Sequence, residues 1–111
     1  MYNVLVCDDE KDIVSALQIY LKSEGYQVFS AYNGKEALKI INREDIQLVL
    51  MDIMMPVMDG LEATREIRTM NRSDASAVAI IAMTANAFAE DIINSRLAGM
   101  NVHLAKPLDA E

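Results

Sequence analysis

The sequence predicts an α/β fold, in which a doubly wound parallel sheet of five strands carries helices on both faces. Short apolar runs of strand length recur along the chain, and segments with the helical spacing of apolar residues lie between them. The runs are mostly apolar rather than alternating, as expected of strands that are buried on both sides. Strands that alternate with helices form βαβ units, and these units build a parallel sheet.

The five strands are predicted from the apolar runs in chain order. They cover residues 3–7, 27–32, 47–51, 77–82 and 101–105. The first helix is predicted from apolar side chains at the i, i+3, i+4 and i+7 spacing, which are Ile13, Val14, Leu17, Tyr20 and Leu21. A helical crossover therefore joins the first two strands.

Three further helices are predicted between the remaining strands. Their apolar faces contain Ala37, Leu38 and Ile41 in the second helix, Leu61, Thr64 and Ile67 in the third, and Phe88, Ile92 and Leu97 in the fourth. Asn33-Gly34 is typical of a turn and helix cap, and Asp59 is predicted to turn the chain or cap the third helix near Gly60. Gly99 occupies a position typical of a helix C-cap.

Length and composition limit the classes of protein that this chain can represent. Its 111 residues suffice for one domain, which we place at residues 1–111. The net charge of −7 argues against direct nucleic-acid binding, and no apolar run reaches the roughly 18–20 residues that span a membrane. The N-terminus lacks a signal-peptide pattern, so a cytoplasmic location is expected. The single cysteine, Cys7, is predicted to be a small buried hydrophobe.

Acidic residues follow two of the predicted strands. Asp8 and Asp9 come directly after the first strand, and Asp52 comes directly after the third. Ligands of open α/β sheets bind beyond the carboxyl ends of the strands, so these carboxylates share one pocket if the two strands are neighbours. Carboxylates that close repel one another, and either protons or a cation must relieve the repulsion. All-oxygen ligands suit Mg²⁺, or Mn²⁺ in its place.

Two further strand ends contribute a hydroxyl group and a positive charge. Thr84 follows the fourth strand, and Lys106 follows the fifth. A cation, a carboxylate, a hydroxyl and an ammonium group at one edge of the sheet are the parts needed to hold a phosphoryl group.

With these residues in this order, the chain resembles a two-component response-regulator receiver domain over essentially its whole length. The motifs that carry the resemblance are Asp8-Asp9, Asp52 within DIMMPVMDG, Thr84-Ala85 and Lys106-Pro107. The resemblance implies the flavodoxin-like receiver fold with strand order 2-1-3-4-5. It also implies that Asp52 is the phosphoacceptor and takes a phosphoryl group from a phosphohistidine on a sensor histidine kinase or a histidine phosphotransfer domain.

The resemblance assigns roles to the other residues of the site. Asp9, Asp52 and the backbone carbonyl of Met54 would ligate Mg²⁺ directly, and Asp8 would act through water. Thr84 and Lys106 would bind the phosphoryl oxygens. The protein would then be no enzyme in the ordinary sense, but a phosphoacceptor that assists its own phosphorylation and dephosphorylation and controls an output domain outside this chain.

His103 departs from the family pattern. The family usually has Tyr or Phe three residues before the lysine, where the ring changes position on activation, and here the residue is the only histidine in the chain. We expect His103 to be a shorter and more polar switch residue that acts with Thr84. The departure affects the switch and leaves the phosphorylation chemistry unchanged.

Three rival functions make different demands on the sequence. A haloacid-dehalogenase-type phosphatase needs a DxDxT pattern after the first strand, and residues 8–12 read Asp-Asp-Glu-Lys-Asp. A flavodoxin-like electron carrier needs a phosphate loop rich in Ser, Thr and Gly, where this chain has acids. A degenerate receiver that only binds partners would not need the complete set of acceptor residues.

Two expectations concern apolar surface. Met54, Met55 and Met58 are predicted to fill gaps between loop and helices, with an adaptable partner-binding surface as the alternative. The family has a fifth helix after the Lys-Pro pair, and only four residues follow Pro107, so we expect that helix to be largely absent. Its absence would uncover apolar side chains of strands three, four and five, and a homodimer through this sheet face is the expected result.

Overall fold

The computed structural model describes residues 2–70, 77–84, 94 and 96–105. Its strands and helices are β1 (Asn3–Cys7), α1 (Lys11–Ser23), β2 (Gln27–Ala31), α2 (Gly34–Arg43), β3 (Leu48–Asp52), α3 (Gly60–Arg68), β4 (Ala79–Thr84) and β5 (Val102–Ala105). They alternate from β1 to β4, as predicted, and the described part of the fourth predicted helix, residues 94 and 96–98, is helical. Within these described residues, no helix is long and apolar enough to cross a membrane.

All five strands pair in parallel in the order β2-β1-β3-β4-β5, which confirms the predicted fold class. Strand β1 lies between β2 and β3, so that Cys7 is opposite both Ala31 and Met51. Strand β3 continues one residue further and places Asp52 opposite Met83 of β4. The carboxyl ends of β1 and β3 are therefore neighbours at one edge of the sheet, hereafter the carboxyl edge.

The sheet separates two apolar clusters, because side chains of a strand point alternately to its two faces. The cluster with Leu5, Val49 and Ile80 lies on the side of α2 and α3. The other cluster contains Val4 and Val6 together with Val14 of α1. Both faces of the central strands are buried, and this explains why their sequences are apolar throughout.

The helix caps predicted from the sequence are confirmed. The Asn33 side chain accepts a hydrogen bond from the backbone N–H of Glu36 at 3.0 Å, and Asp59 accepts one from Glu62 at 2.8 Å. Gly99 has φ of +110° after a helical turn at residues 96–98, a conformation that glycine adopts without a Cβ penalty.

Two predictions of apolar helix faces are wrong. Tyr20 is 61% exposed, because α1 turns Val14 and the partly buried Leu17 and Leu21 toward the sheet. Leu97 is 78% exposed, whereas its neighbour Ala98 is buried. Helical spacing gives the residues that share a face, but only the docked helix shows which of them meet the core. The predictions for Phe88 and Ile92 lie outside the described residues.

Arg68, the last residue of α3, joins three segments at the amino edge of the sheet. Its guanidinium donates to the carbonyl of Val78 at 2.6 Å and to the carbonyl of Gly99 at 3.0 and 2.8 Å. It also donates to the side chain of Asn101 at 2.9 Å, and Asn101 in turn accepts from the N–H of Ile80. The start of β4 and the entry to β5 are thereby held to the end of α3, which the sequence alone did not indicate.

The expectation of uncovered strands is confirmed in part. Val102 and Leu104 of β5 are 54% and 42% exposed, and they lie opposite Ile81 and Met83 of β4. Met83 of strand four and Leu50 of strand three are buried, so the predicted exposure is wrong for them. Residues 106–111 lie outside the described residues, and the homodimer stays a prediction.

Candidate functional site

Three carboxylates meet at the carboxyl edge of the sheet, as the sequence predicted. Asp8 and Asp9 follow β1, and Asp52 ends the neighbouring strand β3. One oxygen from each side chain lies within 4.8 Å of the others. The parallel pairing of β1 and β3 therefore brings together residues that are distant in the sequence.

Burial makes this cluster electrostatically costly. Asp8 is fully buried and Asp52 is 3% exposed, whereas Asp9 is exposed. The Asp8 side chain accepts a hydrogen bond from the backbone N–H of Glu10 at 2.9 Å, and the backbone N–H of Asp8 donates to the carbonyl of Ala31 at 3.1 Å. Carboxylates that are removed from water beside one another need compensating positive charge or protons.

The donor set fits a small divalent cation. Magnesium takes oxygen ligands at 2.0–2.1 Å, so two oxygens on opposite sides of the ion lie about 4.2 Å apart. The carboxylate oxygens lie within 4.8 Å of one another, so the cluster has the size of a site for such an ion. Exposed Asp9 leaves a route for the ion and for the waters that Mg²⁺ retains.

Backbone hydrogen bonds hold both ends of the β3–α3 loop, residues 53–59. The N–H of Ile53 donates to the carbonyl of Met83 at 3.0 Å, and the N–H of Gly60 donates to the carbonyl of Ile53 at 2.9 Å. A Cβ atom at Gly60 would lie 2.1 Å from the carbonyl oxygen of Asp52. Only glycine therefore allows α3 to begin this close to the strand that ends in Asp52.

Val57, at the tip of the β3–α3 loop, is strained. Its φ is +69°, a conformation that is a genuine outlier for a β-branched residue, and its side chain is 71% exposed. Sparsely populated conformations of this kind cost about 1–3 kcal/mol and persist only where surrounding contacts enforce them.

Val57→Asn is expected to raise the free energy of unfolding by about 1 kcal/mol, because asparagine tolerates positive φ and no buried contact is lost. Urea denaturation would measure the change. Val57→Thr, which keeps the β-branch, is the matched control and should leave stability nearly unchanged. An equal gain from both variants would show that the strain is not the cause.

The Cys7 thiol lies beneath the β3–α3 loop. It is fully buried, and its Sγ donates to the carbonyl of Asn33 at 3.3 Å and lies 3.5 Å from the Sδ of Met55. Burial, assisted by the charges of Asp52 and Asp8, raises the pKa of the thiol well above its ordinary value. The prediction of a small buried hydrophobe is confirmed.

Two of the three methionines of the β3–α3 loop fill gaps between the loop and the helices, as predicted. Met55 and Met58 are partly buried and pack against the core on the side of α2 and α3. Met54 is 73% exposed. The gap-filling role is confirmed for the first two, and the Met54 side chain faces solvent beside the acidic cluster.

The remaining predicted site residues are described in part. Thr84 is the last residue of β4 and is opposite Ala105, so its backbone lies at the carboxyl edge. The Thr84 side chain and the whole of Lys106 lie outside the described residues. His103 of β5 is half-buried and lies opposite Ala82 of β4, and its role as a switch residue stays a prediction.

Comparison with known families agrees with this arrangement. Residues 4–111 match the model of the response regulator receiver domain. The chain belongs to this family. Members of the family accept a phosphoryl group on an aspartate, bind Mg²⁺ in an acidic site, and interact with histidine kinases or phosphotransfer proteins.

Solved receiver structures superpose on nearly the whole chain. The chemotaxis protein CheY4 of Vibrio cholerae is 28% identical with a TM-score of 0.92, and the match covers 98% of this chain and 89% of that one. The receiver domain of the sensor histidine kinase PA1611 of Pseudomonas aeruginosa is 38% identical with a TM-score of 0.87, over 97% of this chain and 87% of that one. That structure has a magnesium ion coordinated in its active-site cleft. A two-component response regulator from Clostridium difficile is 27% identical with a TM-score of 0.89, over 98% and 86%.

Proposed function

We propose that Asp52 is the phosphoacceptor of this receiver domain and that it takes a phosphoryl group from a phosphohistidine in a reaction that depends on Mg²⁺. The observation that carries the proposal is the position of Asp52. Its carboxylate ends a central strand, is nearly buried, and lies within 4.8 Å of the oxygens of Asp8 and Asp9. A carboxylate held beside a cation site is the arrangement that phosphoryl transfer to an aspartate requires.

The proposed step is a single displacement at phosphorus. A carboxylate oxygen of Asp52 forms the new P–O bond while the P–N bond to the donor imidazole breaks. The imidazole nitrogen takes a proton from solvent as it leaves. The product is an aspartyl phosphate on this chain and an unmodified histidine on the donor.

The other acidic residues hold the metal. Asp9, Asp52 and the backbone carbonyl of Met54 would bind Mg²⁺ directly, Asp8 would bind it through water, and Mn²⁺ would serve in its place. When bound, the cation neutralises negative charge on the carboxylates and on the transferring phosphoryl oxygens. Without that charge, the buried pair of Asp8 and Asp52 would repel the incoming phosphoryl group.

Thr84 and Lys106 complete the proposal. Thr84 ends β4, the strand next to β3, and its hydroxyl would bind a phosphoryl oxygen. Lys106 follows the last residue of β5, and its ammonium group would bind another. We further propose that the protein turns over no separate substrate and assists only its own phosphorylation and dephosphorylation. Like receiver domains in general, it is expected to act in the cytoplasm on an output domain or partner.

The proposed donor is a sensor histidine kinase or a histidine phosphotransfer domain. Sequence identity is 38% to a receiver that belongs to a sensor histidine kinase and 27–28% to the two response regulators compared above. This difference supports, within the proposal, a receiver that works beside a kinase in a phosphorelay.

Incubation with acetyl phosphate and MgCl₂, followed by intact mass spectrometry, tests the function. One phosphoryl group should add about 80 Da, the mass of HPO₃. The gain should disappear when EDTA replaces MgCl₂. A chain that stays unmodified under all these conditions would favour a degenerate receiver that only binds partners.

Phosphorylation is also expected to switch a surface remote from Asp52. Beryllofluoride with Mg²⁺ should mimic the phosphoryl group and draw Thr84 toward Asp52, because the new oxygen-rich charge is satisfied in only one arrangement of its donors. Backbone amide shifts should then extend along β4 and β5 as far as His103. Shifts confined to the β3–α3 loop would contradict a long-range switch.

A further inference from the structure

The β3–α3 loop rests against a second loop that carries none of the proposed chemistry. This is the β2–α2 turn, residues 32–33, together with Gly34, the first residue of α2. The backbone N–H of Gly34 donates to the carbonyl oxygen of Met58 at 2.9 Å. A Cβ atom at Gly34 would lie 2.6 Å from that oxygen and 2.7 Å from the Cγ of Met58. The two loops therefore touch through backbone, with no room for a side chain between them.

The β2–α2 turn is itself rigid. The side chain of Asn33 caps α2 by accepting from the N–H of Glu36, and the Glu36 carboxylate accepts from the N–H of Tyr32 at 3.0 Å. This reciprocal arrangement satisfies two donors at the start of the helix. Beneath it, the thiol of Cys7 donates to the carbonyl of Asn33 and contacts Met55 in the β3–α3 loop. A fixed turn thus supports the loop at two points.

The β3–α3 loop needs such support because its own conformation is strained. Val57 has positive φ, and the backbone N–H of the next residue, Met58, donates to the carbonyl of Pro56 at 2.7 Å. The Met58 carbonyl is thereby directed to Gly34. Residues in unfavourable backbone conformations keep them only where outside contacts enforce them, and the Gly34–Met58 bond is such a contact.

We propose that Gly34 is a positioning residue for the metal and phosphoryl site. By holding the carbonyl of Met58, it fixes the β3–α3 loop, which follows Asp52 and carries Met54, and so keeps both of these proposed ligands in position. The inference rests on the proposed function, since it assigns a role in the same site. Gly34 contacts neither the metal nor the phosphoryl group and acts only through the β3–α3 loop.

Gly34→Ala tests the inference. The added methyl group must displace the backbone of the β3–α3 loop, and the dissociation constant for Mg²⁺ alone should rise about tenfold, the lower range for loss of a residue that orients metal ligands. Amide chemical shifts titrated with MgCl₂ measure this constant without any phosphoryl transfer. Phosphorylation by acetyl phosphate at subsaturating Mg²⁺ should slow in proportion and recover at high Mg²⁺.

Gly25→Ala is the matched control. Gly25 has φ of +94° in the turn between α1 and β2, at the amino edge of the sheet, and a Cβ there meets nothing within 4 Å. Alanine at this position is strained and should lower the melting temperature while leaving Mg²⁺ binding unchanged. A Gly34→Ala protein that binds Mg²⁺ as tightly as the unaltered chain would overturn the inference, as would equal weakening by Gly25→Ala.

Asn33→Ala decides the matter if Gly34→Ala fails to fold. It removes the cap of α2, a loss that costs about 1 kcal/mol and is usually tolerated. The Gly34 amide should then exchange faster with solvent, and Mg²⁺ binding should weaken. Faster exchange with unchanged Mg²⁺ binding would overturn the inference. An unaltered chain that binds no Mg²⁺ would instead refute the proposed function.

Discussion

Asp52→Asn is expected to abolish phosphorylation by acetyl phosphate in the presence of Mg²⁺. An amide is a far poorer nucleophile than a carboxylate, and no other carboxylate in the cluster ends a strand at this point in the sheet. The mass gain of about 80 Da should therefore be absent after an incubation that modifies the unaltered chain fully. The fold should be retained, because the amide has nearly the same shape and removes one of the buried like charges.

Asp59→Asn provides the control for Asp52→Asn. It makes the same isosteric change at the far end of the loop that follows Asp52, and asparagine caps a helix as well as aspartate does, so α3 should begin normally. This variant should accept the phosphoryl group at the rate of the unaltered chain. Phosphorylation of Asp52→Asn at Asp8 or Asp9, located by fragmentation of the modified chain, would contradict the assignment of the acceptor.

Asp9→Ala is expected to weaken Mg²⁺ binding and to stabilise the metal-free protein. Removing one of three converging carboxylates should raise the Mg²⁺ dissociation constant at least about tenfold. Loss of a residue that only orients a metal ligand already weakens metal binding by this factor, and loss of a ligand itself should weaken it at least as much. Without metal, the same change relieves repulsion and should raise the free energy of unfolding. The gain should be about 1 kcal/mol, because Asp9 is exposed and water screens its charge.

Urea denaturation with EDTA and with saturating MgCl₂ would separate the two effects. Asp12→Ala is a suitable control, because Asp12 is an exposed acid in the first turn of α1 and lies outside the carboxylate cluster. That variant loses a favourable charge at a helix N-terminus and should be slightly less stable, with Mg²⁺ binding unchanged. A marked loss of metal-free stability in Asp9→Ala would refute electrostatic repulsion at the site.

Much of the fold and of the candidate site was predictable because local patterns encode them. Apolar runs separated by helical periods predict a parallel sheet, and the carboxyl ends of parallel strands share one edge. The convergence of Asp8, Asp9 and Asp52 follows once β1 and β3 are neighbours. The caps Asn33 and Asp59 were also predictable, since each acts on a backbone N–H three residues away.

The predictions that failed concern contacts between distant segments. Helical spacing grouped Tyr20 and Leu97 with buried residues, but the docked helices leave both exposed. Nothing local to Arg68 shows that its guanidinium meets the carbonyl of Gly99, because that contact exists only after α3 and the entry to β5 are assembled.

The order of strands and helices along the chain, the helix caps and the acids that follow the strands could be predicted from the residues, because these features depend on side-chain chemistry and short-range spacing. The contacts that hold the loops around Asp52 form only when the chain is folded. The 2.9 Å bond from Gly34 to Met58, the absence of room for a Cβ at Gly60 and the positive φ of Val57 arise where segments from different parts of the chain are packed together. Such close approaches are set by the sum of many long-range contacts, and no residue or motif encodes them individually.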